Sequence, residues 1–134
     1  MRRMPTAGQP PLEHVIAQVD ALRASGRLLD AARLYEAWIA GSDSPARCVA
    51  LFNLGVLRSD LGDLDGADAA YAQALAVNPR FYQAHINAGL VAERKKLDVD
   101  AVRHWLAVAE AAAQGHADAV PCATIALNHI GRLQ

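Results

Sequence analysis

The residues in this sequence with the chemistry to hold a metal ion are histidines, cysteines and a group of aspartates. The five histidines stand singly, so no two are spaced three or four residues apart as ligands on one helix would be. Four aspartates in positions 60–68 lack the glutamate that closes an EF-hand loop. Acidic charge near a helix N-terminus explains them better. The sequence therefore predicts no metal site. The histidines are His14, His85, His104, His116 and His129.

Catalytic chemistry has no recognisable signature either. No serine stands in a nucleophile-elbow context. The glycines in positions 62–66 lack the lysine and the preceding strand of a phosphate-binding loop. Cys48 and Cys122 lie far apart without metal-ligand spacing and are expected to be buried free thiols. We therefore predict a chain that is not an enzyme and that needs no cofactor.

Two asparagines form the most informative pair. Asn53 and Asn87 each stand two positions before a glycine, Gly55 and Gly89 respectively. Asparagine is a mediocre helix residue, so its repeated use within predicted helices suggests a purpose beyond folding. Its amide donates and accepts hydrogen bonds at once, as an extended peptide backbone does. Two interpretations stay open: the amides bind a ligand, or they tie neighbouring repeats together.

The interval between these asparagines is the period of a repeat. In the block 48–81, Gly55 is followed at offsets of 12, 16, 19 and 24 by Ala67, Tyr71, Ala74 and Pro79. We expect Gly55 and Ala67 to be small because the two helices of a hairpin touch there. Tyr71 is expected to fill the wedge between successive hairpins.

Further copies flank this block. The block 82–115 repeats its glycine, alanine and aromatic residue, but Lys96 replaces the turn glycine and an extended stretch, 111–121, takes the place of the closing proline. The block 12–45 is a degenerate first copy, and 121–134 is a half-repeat. Residues 1–11 are expected to form a flexible leader.

The composition indicates that the repeated blocks are helical. Alanine fills 29 positions while aromatic residues make up only 5%, a mix that suits closely packed helices and not a β-sandwich. Ser44, Asn78 and Asp98 are expected to cap helices, with Pro45 and Pro79 in the first turns. The predicted helices are 12–25, 28–41, 45–61, 64–77, 80–95, 98–114 and 121–133.

These offsets resemble the 34-residue pattern of the tetratricopeptide repeat (TPR) family over residues 12–133. The resemblance implies an all-α fold, a right-handed α-solenoid of about three helix-turn-helix repeats plus an extra C-terminal helix. The segments 34–39, 52–56, 86–89 and 126–132 are more narrowly similar to the N-terminal repeats of bacterial SPINDLY-type O-linked N-acetylglucosamine transferases. That resemblance implies an arm that gathers protein substrates for a glycosyltransferase domain.

In the TPR arrangement the first helix of each pair lines a concave groove. A protein or peptide partner is therefore expected there, and His85 could also reach the inner wall. Asn128 stands three residues before its glycine, not two, which leaves its position open. The predicted groove residues are Phe52, Asn53, Val56, Ser59, Gln83, Ile86, Asn87, Leu90, Arg94 and Asn128.

Other classes of partner are disfavoured. A net charge of −1 without a basic face argues against nucleic acid. No apolar run is long enough to span a membrane, and no signal peptide is recognisable, which predicts a cytoplasmic protein. The last predicted helix is apolar nearly all round, so either the natural protein continues or this helix packs on a second copy. The alternative function is therefore a stand-alone TPR adaptor or oligomerisation module.

Overall fold

A computed structural model describes residues 10–134, and over this range the chain is all-helical. Of the predicted leader 1–11, residues 1–9 lie outside the described part. Every predicted helix is present, with ends displaced by two residues or fewer. The helices are α1 (Leu12–Ala24), α2 (Leu28–Ala40), α3 (Arg47–Asp60), α4 (Leu64–Val77), α5 (Tyr82–Arg94), α6 (Asp98–Ala113) and α7 (Val120–Arg132), with a 3₁₀-helix at Ala117–Ala119 before α7.

Each hairpin turns on one residue with a positive φ angle. Gly62 has a φ of 82°, and Lys96 adopts 65° at the equivalent place in the next hairpin. In both turns the second residue after the helix cap donates its N–H back into the helix, as Leu97 does to the Ala92 carbonyl at 2.8 Å. This pattern closes the helix C-terminus. The predicted equivalence of Lys96 with the turn glycine is thus confirmed.

Small side chains allow the helices to pack closely. Consecutive helices contact each other along the whole chain, and α5 also contacts α3 and α7. The first helices of successive pairs therefore lie side by side on one face of an α-solenoid. Alanines occupy the tightest positions because they bury a methyl group without losing side-chain entropy. The alanines with no measurable exposure include Ala31, Ala50, Ala67, Ala70, Ala74, Ala84 and Ala101.

The close approach predicted at Gly55 is real, but its partner differs. A Cβ atom at Gly55 would lie 2.5 Å from Cε1 of Tyr71, and the three nearest atoms all belong to that ring. Gly89 has the same relation to the indole of Trp105. The aromatic residue of the second helix thus lies against the glycine of the first. The aromatic ring, and not Ala67, is therefore the reason that position 55 requires glycine.

Two helix starts differ from the prediction. Ser44 and Asn78 each accept a hydrogen bond from the amide two residues on, at 3.1 and 3.0 Å, but α3 and α5 begin later, at residues 47 and 82. Both residues form turns that precede the helix. Asp98 is the first residue of α6 and not its cap. Within residues 10–134, Asp63 caps α4 with its side chain, which accepts from the Gly66 amide at 3.0 Å.

The connection between α6 and α7 is not extended over the whole stretch expected for it. The predicted extended stretch 111–121 is wrong, because α6 continues to residue 113 and α7 begins at Val120. A turn at Gly115 and the 3₁₀-helix fill the interval. Both cysteines are free thiols, as predicted, although Cys122 is only half-buried.

Candidate binding groove

A cavity of about 150 Å³ opens between α3 and α5, on the face formed by the first helices. Five of the predicted groove residues line it together. The other lining residues are Asp60, Tyr71 and Val91. The five predicted residues are Val56, Ser59, Asn87, Leu90 and Arg94.

The cavity combines aliphatic and polar groups. Val56, Leu90 and Val91 contribute aliphatic surface. Arg94 donates from Nη1 to the Ser59 hydroxyl at 2.7 Å and to the Ser59 carbonyl at 3.3 Å, so it bridges α5 and α3. Most of its five N–H donors remain for other acceptors. Such a site suits an apolar side chain held beside a backbone or an acidic group.

The two asparagines bond to the preceding repeat. Asn53 donates from Nδ2 to the Tyr35 hydroxyl at 3.2 Å, and Asn87 donates in the same way to Tyr71 at 3.4 Å. Burial raises the pKa of both tyrosines, and each asparagine bond opposes that rise in pKa. The interpretation in which asparagines tie repeats together is therefore the one that the geometry supports. Only Asn87 also lines the cavity.

Besides Asn53, four predicted groove residues lie outside the cavity. Ile86 is 2% exposed, so its prediction as a groove wall is wrong. Phe52 stacks on Phe81, with ring centroids 4.9 Å apart, and packs into the core between hairpins. Gln83 is exposed and donates to Oδ1 of Asn87 at 3.1 Å. Asn128 is exposed on α7 and is not part of the cavity.

The residue equivalent to the asparagines in the fourth unit is His129. Its ring stacks on Trp105, the wedge aromatic of the preceding hairpin, with centroids 5.0 Å apart and planes 24° from parallel. His129, and not the adjacent Asn128, therefore occupies the repeat position of Asn53 and Asn87. The α6–α7 connection obscured this register, because the fixed repeat period no longer applies there.

Sequence reasoning also missed a contact between two histidines. His85 does not face the groove: its Nδ1 lies 3.2 Å from Nδ1 of His104 on α6. The separation of the two histidines in sequence could have indicated this contact. Phe52 and Tyr71 are in ring contact across their hairpin, and the two histidines have the same separation in sequence.

A second concave surface lies on the outside of α6. It has a volume of about 570 Å³ and is mainly aliphatic. Val99 is 73% exposed there and Leu106 is 42% exposed. In α4, the residues one repeat period earlier are Asp65 and Ala72, so this apolar surface is not shared between repeats. The lining residues are Asp98, Val99, Val102, Arg103, Leu106, Ala107, Glu110 and Leu133.

Other kinds of site can be assessed over residues 10–134. This part of the chain brings together no group of three or more histidine, cysteine or acidic side chains around a metal position. None of its helices combines the length and apolar character needed to cross a membrane.

Comparison with known proteins shows the fold. No model of a known protein family matches the chain, and no curated protein sequence does. Among solved structures, the crystal structure of MamA, a TPR-containing protein, is similar with a TM-score of 0.64. The match covers 94% of this chain and 82% of that chain, at 16% sequence identity. The chain therefore has a TPR-like helical repeat fold.

Proposed function

We propose that the chain is a scaffold that binds a protein or peptide partner in the groove between α3 and α5. The observation that carries the proposal is the cavity in which Val56, Leu90 and Arg94 converge. At roughly 30 Å³ per water molecule, its volume corresponds to about five waters, enough for an aliphatic side chain. Arg94 would hold the adjoining backbone of the partner.

A peptide-display selection against the immobilised chain tests this proposal. The probe is a library of random linear peptides, and the selected peptides are titrated against Val56→Glu and Leu90→Glu variants. Leu29→Glu is the matched control, since Leu29 is 53% exposed and lies outside the cavity. Loss of one buried aliphatic contact should weaken binding by about 1.5–3 kcal/mol, and the control should bind normally. Selected peptides that bind all three variants equally would contradict the groove assignment.

The link to a glycosyltransferase is a finer proposal. Its support is the resemblance of the repeat segments to SPINDLY-type transferases, in which the repeats would gather protein substrates. The reading frame of the gene beyond residue 134 provides a direct test of this link. A reading frame that continues into a glycosyltransferase domain supports the link, and a stop codon directly after Gln134 contradicts it. The purified chain alone should not turn over UDP-N-acetylglucosamine above a buffer blank. A cytoplasmic location belongs to the same proposal and is in keeping with two free thiols.

Self-association is the second candidate function, favoured by the apolar surface of α6. Exposed aliphatic residues also occur on the neighbouring α7, where Ile125 is 42% and Leu127 is 56% exposed. A second copy that covers these residues would remove them from water. Mass measured over a range of concentrations should then rise to that of a dimer, and a Val99→Glu/Leu106→Glu variant should stay monomeric. A monomer at every concentration would rule this candidate out.

A further inference from the structure

His85 and His104 face each other between α5 and α6 in the third hairpin. Their Nδ1 atoms are 3.2 Å apart, and their ring centroids are 5.4 Å apart. Both side chains are half-buried. In the neutral pair, the N–H of one Nδ1 donates a hydrogen bond to the other Nδ1.

The fold itself does not require imidazoles at these places. In the preceding hairpin the equivalent residues, one repeat period earlier, are Leu51 and Ala70. Both are buried and apolar, with exposures of 2% and 0%. An apolar pair is therefore sufficient to pack the two helices at this position. The third hairpin replaces it with two metal-ligating side chains.

The spacing of the two nitrogens matches the bite of a tetrahedral metal ion. Zinc binds imidazole nitrogen at about 2.0–2.1 Å, so two nitrogens 3.2 Å apart subtend roughly 100° at the metal. That angle is close to the tetrahedral value. Both lone pairs become available when the shared proton leaves one Nδ1 and a proton occupies Nε2 of that ring. A neutral pair thus needs no net loss of protons to bind the ion.

The geometry points to a two-histidine binding site for a divalent transition-metal ion, of which zinc is the best match, between α5 and α6. Water completes the coordination. His104 lines a cavity of about 150 Å³ together with two acidic and two basic side chains, so water can reach this ring; the four charged residues are Asp68, Lys95, Asp100 and Arg103. The metal would cross-link the two helices of the third hairpin.

Electrostatic surroundings favour the ligand form of both rings at neutral pH. Burial lowers the pKa of His85, and the neighbouring His104 lowers it further. Burial also lowers the pKa of His104, while Asp68 and Asp100 raise it and Arg103 lowers it. Protons therefore compete weakly with a metal at neutral pH. Metal affinity should fall as the solution is acidified below the ordinary histidine pKa.

Zn²⁺ and Co²⁺ are the probes for this site. Calorimetric titration should give one ion per chain, and Co²⁺ should develop the visible absorption of tetrahedral coordination. The melting temperature should rise with metal concentration, because the ion binds only the folded chain. The decisive variant is His85→Leu/His104→Ala, which installs the residues of the preceding hairpin. Loss of outer-shell partners alone costs about 10–100-fold in metal affinity, so removal of both ligands should exceed that.

Two further variants separate this site from other ligands. His14→Ala removes an exposed histidine of α1, and Cys122→Ser removes a half-buried thiol of α7. Both should bind Zn²⁺ as the original chain does. Binding that disappears with Cys122→Ser, or that persists unchanged in the double histidine variant, would overturn the assignment. So would the absence of stoichiometric binding to the original chain.

Discussion

At the scale of single residues, the chain uses the same arrangement at its last two junctions between helical units. The second helix buries an aromatic ring against a glycine, and a polar side chain of the next first helix covers that ring. Tyr71 lies between Gly55 and Asn87 in this way. In the last junction Trp105 lies against Gly89 and is stacked by His129. Each of these two junctions thus combines a close approach with one directional contact.

The bond between Asn87 and Tyr71 should be measurable as a coupling energy. Asn87→Ala leaves the buried Tyr71 hydroxyl without this donor, and Tyr71→Phe removes the hydroxyl itself. A double-mutant cycle on the free energy of unfolding should give a coupling of about 0.5–1.5 kcal/mol.

Affinity for a selected peptide, measured on Asn87→Ala, completes that experiment. A lower melting temperature with unchanged affinity would mean that the amide serves the repeat junction alone. A coupling of zero would mean that the bond contributes nothing to folding.

The glycines beneath the aromatic rings should tolerate no side chain. Glycine-to-alanine exchange within a helix ordinarily stabilises by about 0.5–1 kcal/mol. At Gly55 the new methyl would overlap the Tyr71 ring, and overpacking costs about 1–3 kcal/mol. Gly55→Ala should therefore destabilise the chain in a denaturant titration. Gly131→Ala is the control: it is also helical, nothing lies within 4 Å of its new methyl, and it should stabilise. Equal effects at both sites would contradict the packing argument.

At the scale of helices, the sequence alone was sufficient to locate all seven α-helices of residues 10–134, because several signals coincide. The turn residue, the apolar spacing and the repeat period all indicated the same helices, including the turn at Lys96. Helix starts were less predictable where proline follows a polar residue. Ser44 and Asn78 accept hydrogen bonds within a turn, and each following helix begins two residues later than predicted. The sequence alone could not separate such a turn from a helix cap.

Lys96 carries conformational strain that glycine would relieve. A left-handed conformation costs a non-glycine residue roughly 1–2 kcal/mol, whereas the greater freedom of glycine in the unfolded chain costs about 0.5–1 kcal/mol. Lys96→Gly should therefore raise the free energy of unfolding by up to about 1.5 kcal/mol. Gln114→Gly is the matched control, because Gln114 closes α6 with a negative φ of −79° and should lose stability. Destabilisation by Lys96→Gly would show that its side chain contributes more than the strain costs.

The third hairpin should lose stability on mild acidification. Burial lowers the pKa of both His85 and His104 from the usual 6.5, so the unfolded chain takes up protons first as pH falls. Stability should be constant above that value, fall as pH drops below it, and level off below the folded-state pKa values. The ion pairs of Asp65, Glu93 and Asp118 respond at lower pH, since their pKa values are lowered from about 4.

Melting temperatures between about pH 7.5 and about pH 5 provide the test of this acid sensitivity, because that range brackets the ordinary histidine pKa of about 6.5. In metal-free buffer the His85→Leu/His104→Ala variant should show a flatter profile than the original chain. Identical profiles would mean that the pair titrates alike in the folded and unfolded chain.

At the scale of the whole molecule, arginine side chains bridge successive first helices of the solenoid. Arg94 bridges α5 to α3, and Arg132 of α7 donates to both carboxylate oxygens of Glu93 at 2.6 and 2.8 Å. The sequence predicted Arg94 as a groove residue but gave no sign of these bridges. They depend on how neighbouring hairpins are rotated, which a one-dimensional pattern does not specify. The same reason explains why Ile86, predicted for the groove, lies in the core.

Because each hairpin contacts mainly its neighbours, we expect stability to vary along the solenoid and α7 to open first. Among its residues only Ala126 is buried, and the stack of His129 on Trp105 and the Arg132–Glu93 pair supply its specific contacts. Arg132→Ala should therefore accelerate amide exchange within α7 while exchange in α1–α4 stays unchanged. High salt should act in the same direction, since the pair is partly exposed and is screened by ions. Arg27→Ala is the matched control, because its pair with Asp30 lies within the first hairpin and leaves α7 untouched. Faster exchange by the same factor in every helix would mean that the solenoid opens as a single unit.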